Sequence, residues 1–494
     1  MTERERELLA QAYAEIEKNR DIVENDPYRL HYHIMPPTGL INDPNGFIEW
    51  NGKYHLFYQW QPFKTAHGTK FWGHVSSTDL VHWEHEPIAL APSEWYEQDG
   101  CYSGSAVEQD GNLFLLYTGN VKEDDERETY QCLAESADGK TFKKHGPVLH
   151  LPEEYTAHFR DPKVWKKDDV WYMVIGAQTK KLEGRAVLFQ SHDLKNWTRL
   201  GDLTGTNTDH IGEFGYMWEC PDLFELDGRE VMVVSPQGVA PDGMLYHNEH
   251  QCGYLVGDLD YENVKYRHEA FVEMDRGFEF YAPQTLVDKK GRRIMIAWMG
   301  MPDQYEQKHP TIPFKWIHSL TLPRELKLVG NKLYQVPLEE MKILRGDGVR
   351  YSGAEVVNEE KHFAGLDGDV MEISLDHIHG TYEMLEITLR GNARFIYNKE
   401  KKLATLERAS FAHGQTEARH CYLEKLDSLR IFVDTSSLEI FVNEGQEVFS
   451  ARQFPYPENK GYSFASKGYV SFDLNKWDLN KSAGAYPMQD ERYA

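Results

Sequence analysis

Three acidic residues stand out in the 494-residue chain because of the segments that hold them. Asp43 lies in Asn42-Asp43-Pro44-Asn45-Gly46, Asp161 in Arg160-Asp161-Pro162, and Glu219 in Trp218-Glu219-Cys220-Pro221. A carboxyl kept neutral beside an ionised one is the arrangement that glycoside hydrolysis requires. Taken singly, Asp43 and Asp161 read as turn starters, since Asp-Pro commonly opens a turn. Glu219 is harder to read that way, because a carboxyl between Trp218 and Cys220 is costly without a use. Near these segments are side chains suited to a sugar, whose faces stack and whose hydroxyls need partners: Asn42, Gln59, Trp60, Trp72, Tyr102, Ser103, Arg160, Tyr281 and Trp298. His74 reads as a packed, hydrogen-bonded core residue. No His/Asp/Glu cluster has metal-ligand spacing, and no phosphate-cradling Gly-rich loop or Gly-x-Ser-x-Gly elbow is present, so neither metal nor cofactor is expected.

The elements around the acids repeat. Five apolar runs follow tight-turn signals: KYHLFYQW after Gly52, NLFLLYTG after Gly111, VWYMVIGA after Asp169, REVMVVSP after Gly228 and RRIMIAWM after Gly291. These turns are 59, 58, 59 and 63 residues apart. A second motif, Ser-x-Asp-x-x-x-aromatic, recurs in phase at Ser77-Asp79-Trp83, Ser136-Asp138-Phe142 and Ser191-Asp193-Trp197. Two motifs keeping one period point to a five-bladed β-propeller. Asp43 lies nine residues before its turn, Asp161 eight and Glu219 nine. The first strand of each blade borders the central channel, so near-equivalent positions would aim the three acids at one another around the axis. That clustering raises at least one pKa and turns the reading from turns to catalysis.

The chain is therefore expected to be all-β. Residues 1–29 form an N-terminal helical extension, with Leu8, Leu9, Tyr13 and Ile16 on one side of a charged helix. Residues 30–330 form the five-bladed propeller, 331–345 a connection, and 346–494 a C-terminal antiparallel β-sandwich. With 54 Lys+Arg against 79 Asp+Glu, the net charge of −25 argues against nucleic acid or an anionic membrane as partner. No apolar run approaches the ~20 residues that span a bilayer. The charged first twenty residues lack the pattern of a secretory signal, and five scattered cysteines suggest no disulfide framework. A cytoplasmic protein acting on a small-molecule sugar is the expectation; nothing in the sequence specifies an oligomer.

The ordered set Asn42-Asp43-Pro44-Asn45-Gly46, Tyr102-Ser103-Gly104-Ser105, Arg160-Asp161-Pro162 and Glu219-Cys220-Pro221 resembles glycoside hydrolase family 32. That family contains invertases, fructan hydrolases and sucrose-6-phosphate hydrolases. Asp275-x-Gly277 before Tyr281-Ala282, Leu322-Pro323-Arg324-Glu325, and SSLEIFVNEGQEVFSARQFPY extend the likeness over nearly the whole chain. The resemblance implies that Asp43 is the nucleophile of a retaining β-fructofuranosidase, Glu219 its general acid/base, and Asp161 the stabiliser of the transition state. It places Asn42, Gln59, Trp72 and Ser103 around the fructose, with Arg160 beside Asp161; Leu40, Ile41, Tyr102, Tyr281 and Trp298 are the further substrate-binding candidates. Tyr102 departs from the Phe of many relatives. Retention predicts carboxyls of Asp43 and Glu219 roughly 5–5.5 Å apart. Negative Asp43 and the apolar side of Trp218 are expected to keep Glu219 protonated until Asp43 becomes an ester.

HYHIMPPTGLINDPNG and HGTKFWGH resemble the bacterial intracellular sucrose-6-phosphate hydrolases of that family. The expected reaction is hydrolysis of sucrose 6-phosphate, with plain sucrose slower. The phosphate would need a local cationic pocket, for which His67, Lys70, Lys315 and His318 are the candidates. Lys70 and Lys315 read equally well as solvated surface charges. The alternatives are a cytoplasmic invertase or short-fructan hydrolase, a fructosyl transferase, and a sugar-binding propeller without turnover.

Overall fold

The expected turns are present in the computed structural model, which describes residues 2–124, 126–208 and 210–484. At Asn51-Gly52, Asp110-Gly111, Asp168-Asp169 and Asp227-Gly228 both central residues have positive φ, between 48° and 83°. This is the turn geometry whose twist matches that of the strands it joins. Each turn links the first two strands of a four-stranded antiparallel blade. Blade I runs through Gly39–Trp50, Lys53–Gln61, Phe71–Ser77 and Glu84–His85; blade II through Cys101–Gln109, Asn112–Glu123, Glu126–Ser136 and Lys143–His150. Blade III comprises Tyr155–Lys167, Val170–Thr179, Gly184–Ser191 and Thr198–Gly205, and blade IV Met217–Leu226, Arg229–Gln237, Gly253–Asp260 and Lys265–His268. Blade V comprises Tyr281–Val287, Arg293–Met299, Arg324–Val329 and Lys332–Pro337. Its outermost strand thus occupies part of the segment 331–345 expected as a connection.

The second repeat motif caps the turn between third and fourth strands. Asp79, Asp138 and Asp193 each accept two backbone N–H groups through Oδ1. Asp260 does the same in blade IV without the preceding serine. Apolar faces pack from blade to blade: Trp50, Phe57 and Trp72 meet Leu113, Leu115 and Tyr117 between blades I and II. The ring closes where Trp316–Ile317, after the second strand of blade V, pairs in parallel with Gly39 and Leu40 of blade I. The N-terminal helix, Glu3–Glu24, is capped by Thr2 and buries Leu9, Tyr13 and Ile16 on the propeller.

From Arg345 onward the chain forms the sandwich. Two long strands, Met371–Leu389 and Tyr462–Leu479, pair along their length and are broken by bulges near Asp376 and Tyr382. On one side of the bulges Met371–Leu375 pairs with Leu429–Asp434; on the other Met384–Leu389 pairs with Ala393–Asn398. One pair of strands therefore serves both layers. Residues 485–494, included in the expected C-terminal domain, lie outside the described residues.

Charged groups are buried where the two domains meet. Arg324 donates to Glu439 at 2.5 Å and to Asp275 at 3.2 Å, and His33 bridges Asp434 (2.8 Å) and Glu439 (3.0 Å). Arg408 of the sandwich reaches Glu279 of the propeller at 2.6 Å. Asp275-x-Gly277 and the Arg324 segment are thus parts of the interdomain joint, Asp275 accepting the N–H and Oγ–H of Ser450.

Candidate active site

All five innermost strands lose register at one level. The shifts fall between Ile41 and Pro44, Cys101 and Gly104, Arg160 and Lys163, Glu219 and Asp222, and Tyr281 and Gln284. At each shift two residues face one on the neighbouring strand, a β-bulge that re-aims side chains. Pro44, Pro162, Pro221 and Pro283 sit there because a bulge needs no N–H from them. Blade II has Gly104 instead, where a Cβ would lie 1.9 Å from the carbonyl oxygen of Leu116. Asp161, Cys220 and Ala282 have φ of 69°, 48° and 47°.

Aligned on that Pro or Gly, the bulges present two rings of side chains to the channel. Asp43, Ser103, Asp161, Cys220 and Ala282 form the floor; Asn42, Tyr102, Arg160, Glu219 and Tyr281 form the wall. The sequence spacing had made the three acids near-equivalent. Glu219 in fact stands one residue earlier than Asp43 and Asp161, and Cys220 takes the matching place. On the floor Ser103 donates to Asp43 at 2.5 Å, the N–H of Cys220 donates to Asp161 at 2.9 Å, and the Cys220 thiol lies 3.6 and 3.5 Å from the two aspartates. Asn42 donates to Gln59 (2.8 Å) and Gln59 to Ser103 (2.7 Å), a chain that orients the group donating to Asp43. On the wall Arg160 grips Glu219 Oε1 through Nε and Nη2, at 2.9 and 2.6 Å, and Tyr281 donates to Oε2 at 2.7 Å. The rings open into a cavity of about 500 Å³.

These contacts divide the carboxyls electrostatically. Burial raises Asp43, against the Ser103 hydrogen bond, and the charge of Glu219 raises it further. Burial pushes Asp161 up to about 7 despite Arg160, with Glu219 and Asp43 adding to it. Burial acts on Glu219 in the same sense, but Arg160 and Tyr281 outweigh it and hold this carboxyl below its usual value. In the free site the surroundings thus favour the neutral form on the Asp43–Asp161 side and the ionised form at Glu219. This corrects the expectation that Glu219 is kept protonated by Trp218. Trp218 is fully buried among blade III and IV residues, its indole N–H bound to the Phe214 carbonyl.

The cavity is lined by Asn42, Gln59, His67, Lys70, Tyr102, Arg160, Tyr281 and Trp298 of the expected residues. Leu40, Ile41, Trp60 and Trp72 are not among the lining; they are fully or almost fully buried, Trp72 supporting the Tyr102 carbonyl through its indole N–H. His74 packs as expected, stacked 4.1 Å from Phe57 and bonded to His55. The phosphate candidates separate. Lys70 is 3% exposed rather than solvated; it donates to Asn42 Oδ1 (2.8 Å) and to His67 (3.0 Å), and burial lowers it to about 7. His67 and His318 both bond to Glu306, and His318 is buried behind Trp298. Lys315 is exposed and outside the cavity lining; its carbonyl binds Thr38 and Gly39 at the propeller's closure. The cavity adds residues the sequence reading missed: Asp99, Lys122, Arg127, Gln237 and Asp303. Lys122 and Arg127 sit in the acidic run KEDDERE, which reads as an ordinary solvated hairpin end.

A propeller axis carrying two aspartates and a glutamate of opposed tuning, with sugar-sized space above them, defines a glycoside hydrolase. The chain belongs to glycosyl hydrolases family 32: that family's N-terminal domain matches residues 33–337 and its C-terminal domain residues 340–478. It is 52% identical to the sucrose-6-phosphate hydrolase of Bacillus subtilis, over 97% of this chain and all of that protein. It is 46% identical to that of Salmonella typhimurium, over 87% of this chain and 89% of the relative. Among solved structures it superposes on the Lactobacillus gasseri sucrose-6-phosphate hydrolase with a TM-score of 0.85 (31% identity; 96% and 97% covered). The Bombyx mori GH32 β-fructofuranosidase in complex with sucrose gives 0.83 (36%; 96% and 99%).

Proposed function

We propose that the chain hydrolyses the β-fructofuranosidic bond of sucrose 6-phosphate, and more slowly of sucrose, with retention. The products are glucose 6-phosphate, or glucose, and fructose. The observation that carries this reading is the convergence of Asp43, Asp161 and Glu219 on one cavity, with Ser103 donating to Asp43 and with Arg160 and Tyr281 donating to Glu219. The names of the Bacillus and Salmonella relatives support the phosphorylated substrate.

Asp43, oriented by Ser103, attacks the anomeric carbon of the fructosyl unit. Glu219 protonates the departing glycosidic oxygen and later takes a proton from water. Arg160 and Tyr281 favour the ionised form of Glu219 in the free site, so the substrate has to raise this carboxyl before the first step. Fructose hydroxyls donating to Asp161 and Asp43 stabilise their ionised forms, while a sugar filling the cavity removes water from Glu219 and raises it. Binding thus favours the protonated form of the acid that the first step uses. Asp161, on the remaining side, holds fructose hydroxyls and stabilises the developing positive charge, while Arg160 orients Glu219 and offers its other donors to the sugar. A cytoplasmic site of action fits a sugar phosphorylated during uptake.

The test is kcat/KM for sucrose 6-phosphate and sucrose side by side, with Asp43→Asn as the blank. A hundredfold preference for the phosphate ester, about 2.7 kcal/mol, is expected. Equal values would make the protein an invertase. No turnover of either sugar would remove the reading.

A further inference from the structure

The middle strands of blade II are longer than their counterparts. Asn112–Glu123 has 12 residues and Glu126–Ser136 has 11, against 9 and 7 in blade I and 10 and 8 in blade III. The extra length carries Lys122 and Arg127, direct cross-strand partners, to the cavity. Direct partners share one face of a sheet, and like charges so placed repel each other. Glu123 and Glu126, the next pair along, alternate to the opposite face.

Among the described residues no carboxylate forms an ion pair with either cation. Asp99 is the nearby acid of the lining, and its Oδ2 accepts the backbone N–H of Lys122 at 2.7 Å. Arg127 lies 5.9 Å from the centroid of the Tyr102 ring and donates to His158 Nδ1 at 3.4 Å. The same His158 nitrogen receives Arg160 at 2.9 Å, and Arg160 holds Glu219. His158 is lowered to about 4 by burial and by the two arginines, so it serves as a neutral acceptor between them. Arg127 is therefore separated from the general acid only by His158 and Arg160. The group that Glu219 protonates departs on this side.

We propose that Lys122 and Arg127 form the subsite for the phosphate of a phosphorylated leaving sugar. This rests on the fructoside-hydrolase reading above. A dianion between the two cations relieves their repulsion and supplies the anionic partner that neither has among the described residues. On a protein of charge −25 such a local pair is needed to hold a phosphate at all. Lys70 is the poorer candidate, since its ammonium already bonds to Asn42 and His67 and a phosphate there would face the nucleophile Asp43.

Two measurements test the subsite. The first is equilibrium binding of glucose 6-phosphate and of glucose to Asp43→Asn protein, with and without Arg127→Gln and Lys122→Gln. Glucose 6-phosphate should bind at least tenfold more tightly than glucose, and the double substitution should abolish the difference. Equal binding of the two sugars before substitution, or a difference that survives it, overturns the subsite while leaving fructoside hydrolysis intact. The second is the ratio of kcat/KM for sucrose 6-phosphate to that for sucrose in Arg127→Gln, Arg127→Lys and Lys122→Gln. The ratio should fall tenfold or more in Arg127→Gln and partly recover in Arg127→Lys. If Arg127 merely supports Tyr102 and Arg160, both sugars lose equally and the ratio stays put, which also overturns the proposal. Should neither sugar be hydrolysed by the unsubstituted protein, the functional reading fails; the binding measurement still decides the subsite.

Discussion

Two clusters of buried charge, the propeller channel and the joint between propeller and sandwich, are built from the same residue types to opposite effect. At the joint, Glu439 receives Arg324 and His33, and Asp434 receives His33 and the N–H of His31; burial raises both acids, but these partners hold them below their ordinary values. In the channel, Arg160 is committed to Glu219, and Asp43 and Asp161 are left with neutral donors and raised by burial. Pairing makes a joint. A shortage of cations, maintained by the fold, makes a proton that can be moved. Asp275 marks the boundary between the cases: burial raises it even with Arg324 beside it, yet Ser450 and Gly277 satisfy both its oxygens.

The sharpest way to break this comparison is to remove one member from each cluster. Asp43→Asn should lower kcat by about 10⁴-fold or more, because the covalent route disappears. It should leave the melting temperature unchanged or higher, since a crowded like charge is gone. Arg324→Ala should do the reverse. It strands Glu439 and Asp275 in the interior at a cost of about 3–5 kcal/mol, while the kcat of the protein that remains folded stays within about twofold. Denaturant unfolding and initial rates on the same preparations check both. A destabilised Asp43→Asn, or a folded but inactive Arg324→Ala, would show that the clusters are not separable.

Proton linkage provides a second, smaller contrast. Burial pushes Asp161 up to about 7 in the folded chain, against about 4 for an unfolded aspartate. Between those values the folded state holds a proton that the unfolded state has released, so this group's contribution to stability falls as pH rises. Asp434 and Glu439 are lowered, so their contribution is fully present above about pH 4–4.5 and is lost as pH falls through their folded values. Asp161→Asn should therefore raise the melting temperature more at about pH 8 than at about pH 4.5, and Glu439→Gln should lower it more at about pH 8 than at about pH 3. Parallel melting curves would settle the matter; the same sign in both variants sinks the distinction.

What could be read in advance follows the same division. The blade turns were legible because Asn-Gly and Asp-Gly carry a backbone requirement in their own chemistry, and the Ser-x-Asp motif because its hydrogen bonds are local. Asp43, Asp161 and Glu219 were legible as a set because blades repeat. Their individual tuning was not, since it depends on Arg160 reaching across a blade boundary and on Trp218 turning away from its neighbour. Lys70 and Lys315 look alike in sequence, yet one is buried beside Asn42 and Asp43 and the other is exposed outside the cavity lining. Lys122 and Arg127 were hidden for the opposite reason. Strand alternation turns them to the cavity and their acidic neighbours Glu123 and Glu126 away, and net composition averages the two faces.

The smallest expected effect concerns a single hydroxyl. Tyr281 donates to Glu219 at 2.7 Å and has no comparable bond to Asp43 or Asp161. Its removal in Tyr281→Phe withdraws one of the contacts that hold Glu219 below its usual value, so the glutamate's pKa must rise. A hydrogen bond to a charged group contributes about 1.5–3 kcal/mol, of which water entering the gap restores a part. The Glu219 limb of the pH–rate profile should then move up by about one unit, with kcat down about tenfold. The direction follows from the contact itself: the lost donor acts first on Glu219, and Asp43 and Asp161 feel the change only through the charge of Glu219. A limb that stays in place while kcat falls would mean that Tyr281 serves only to shape the cavity. A limb that moves down would mean that the Tyr281 oxygen accepts from neutral Glu219 instead of donating to its carboxylate.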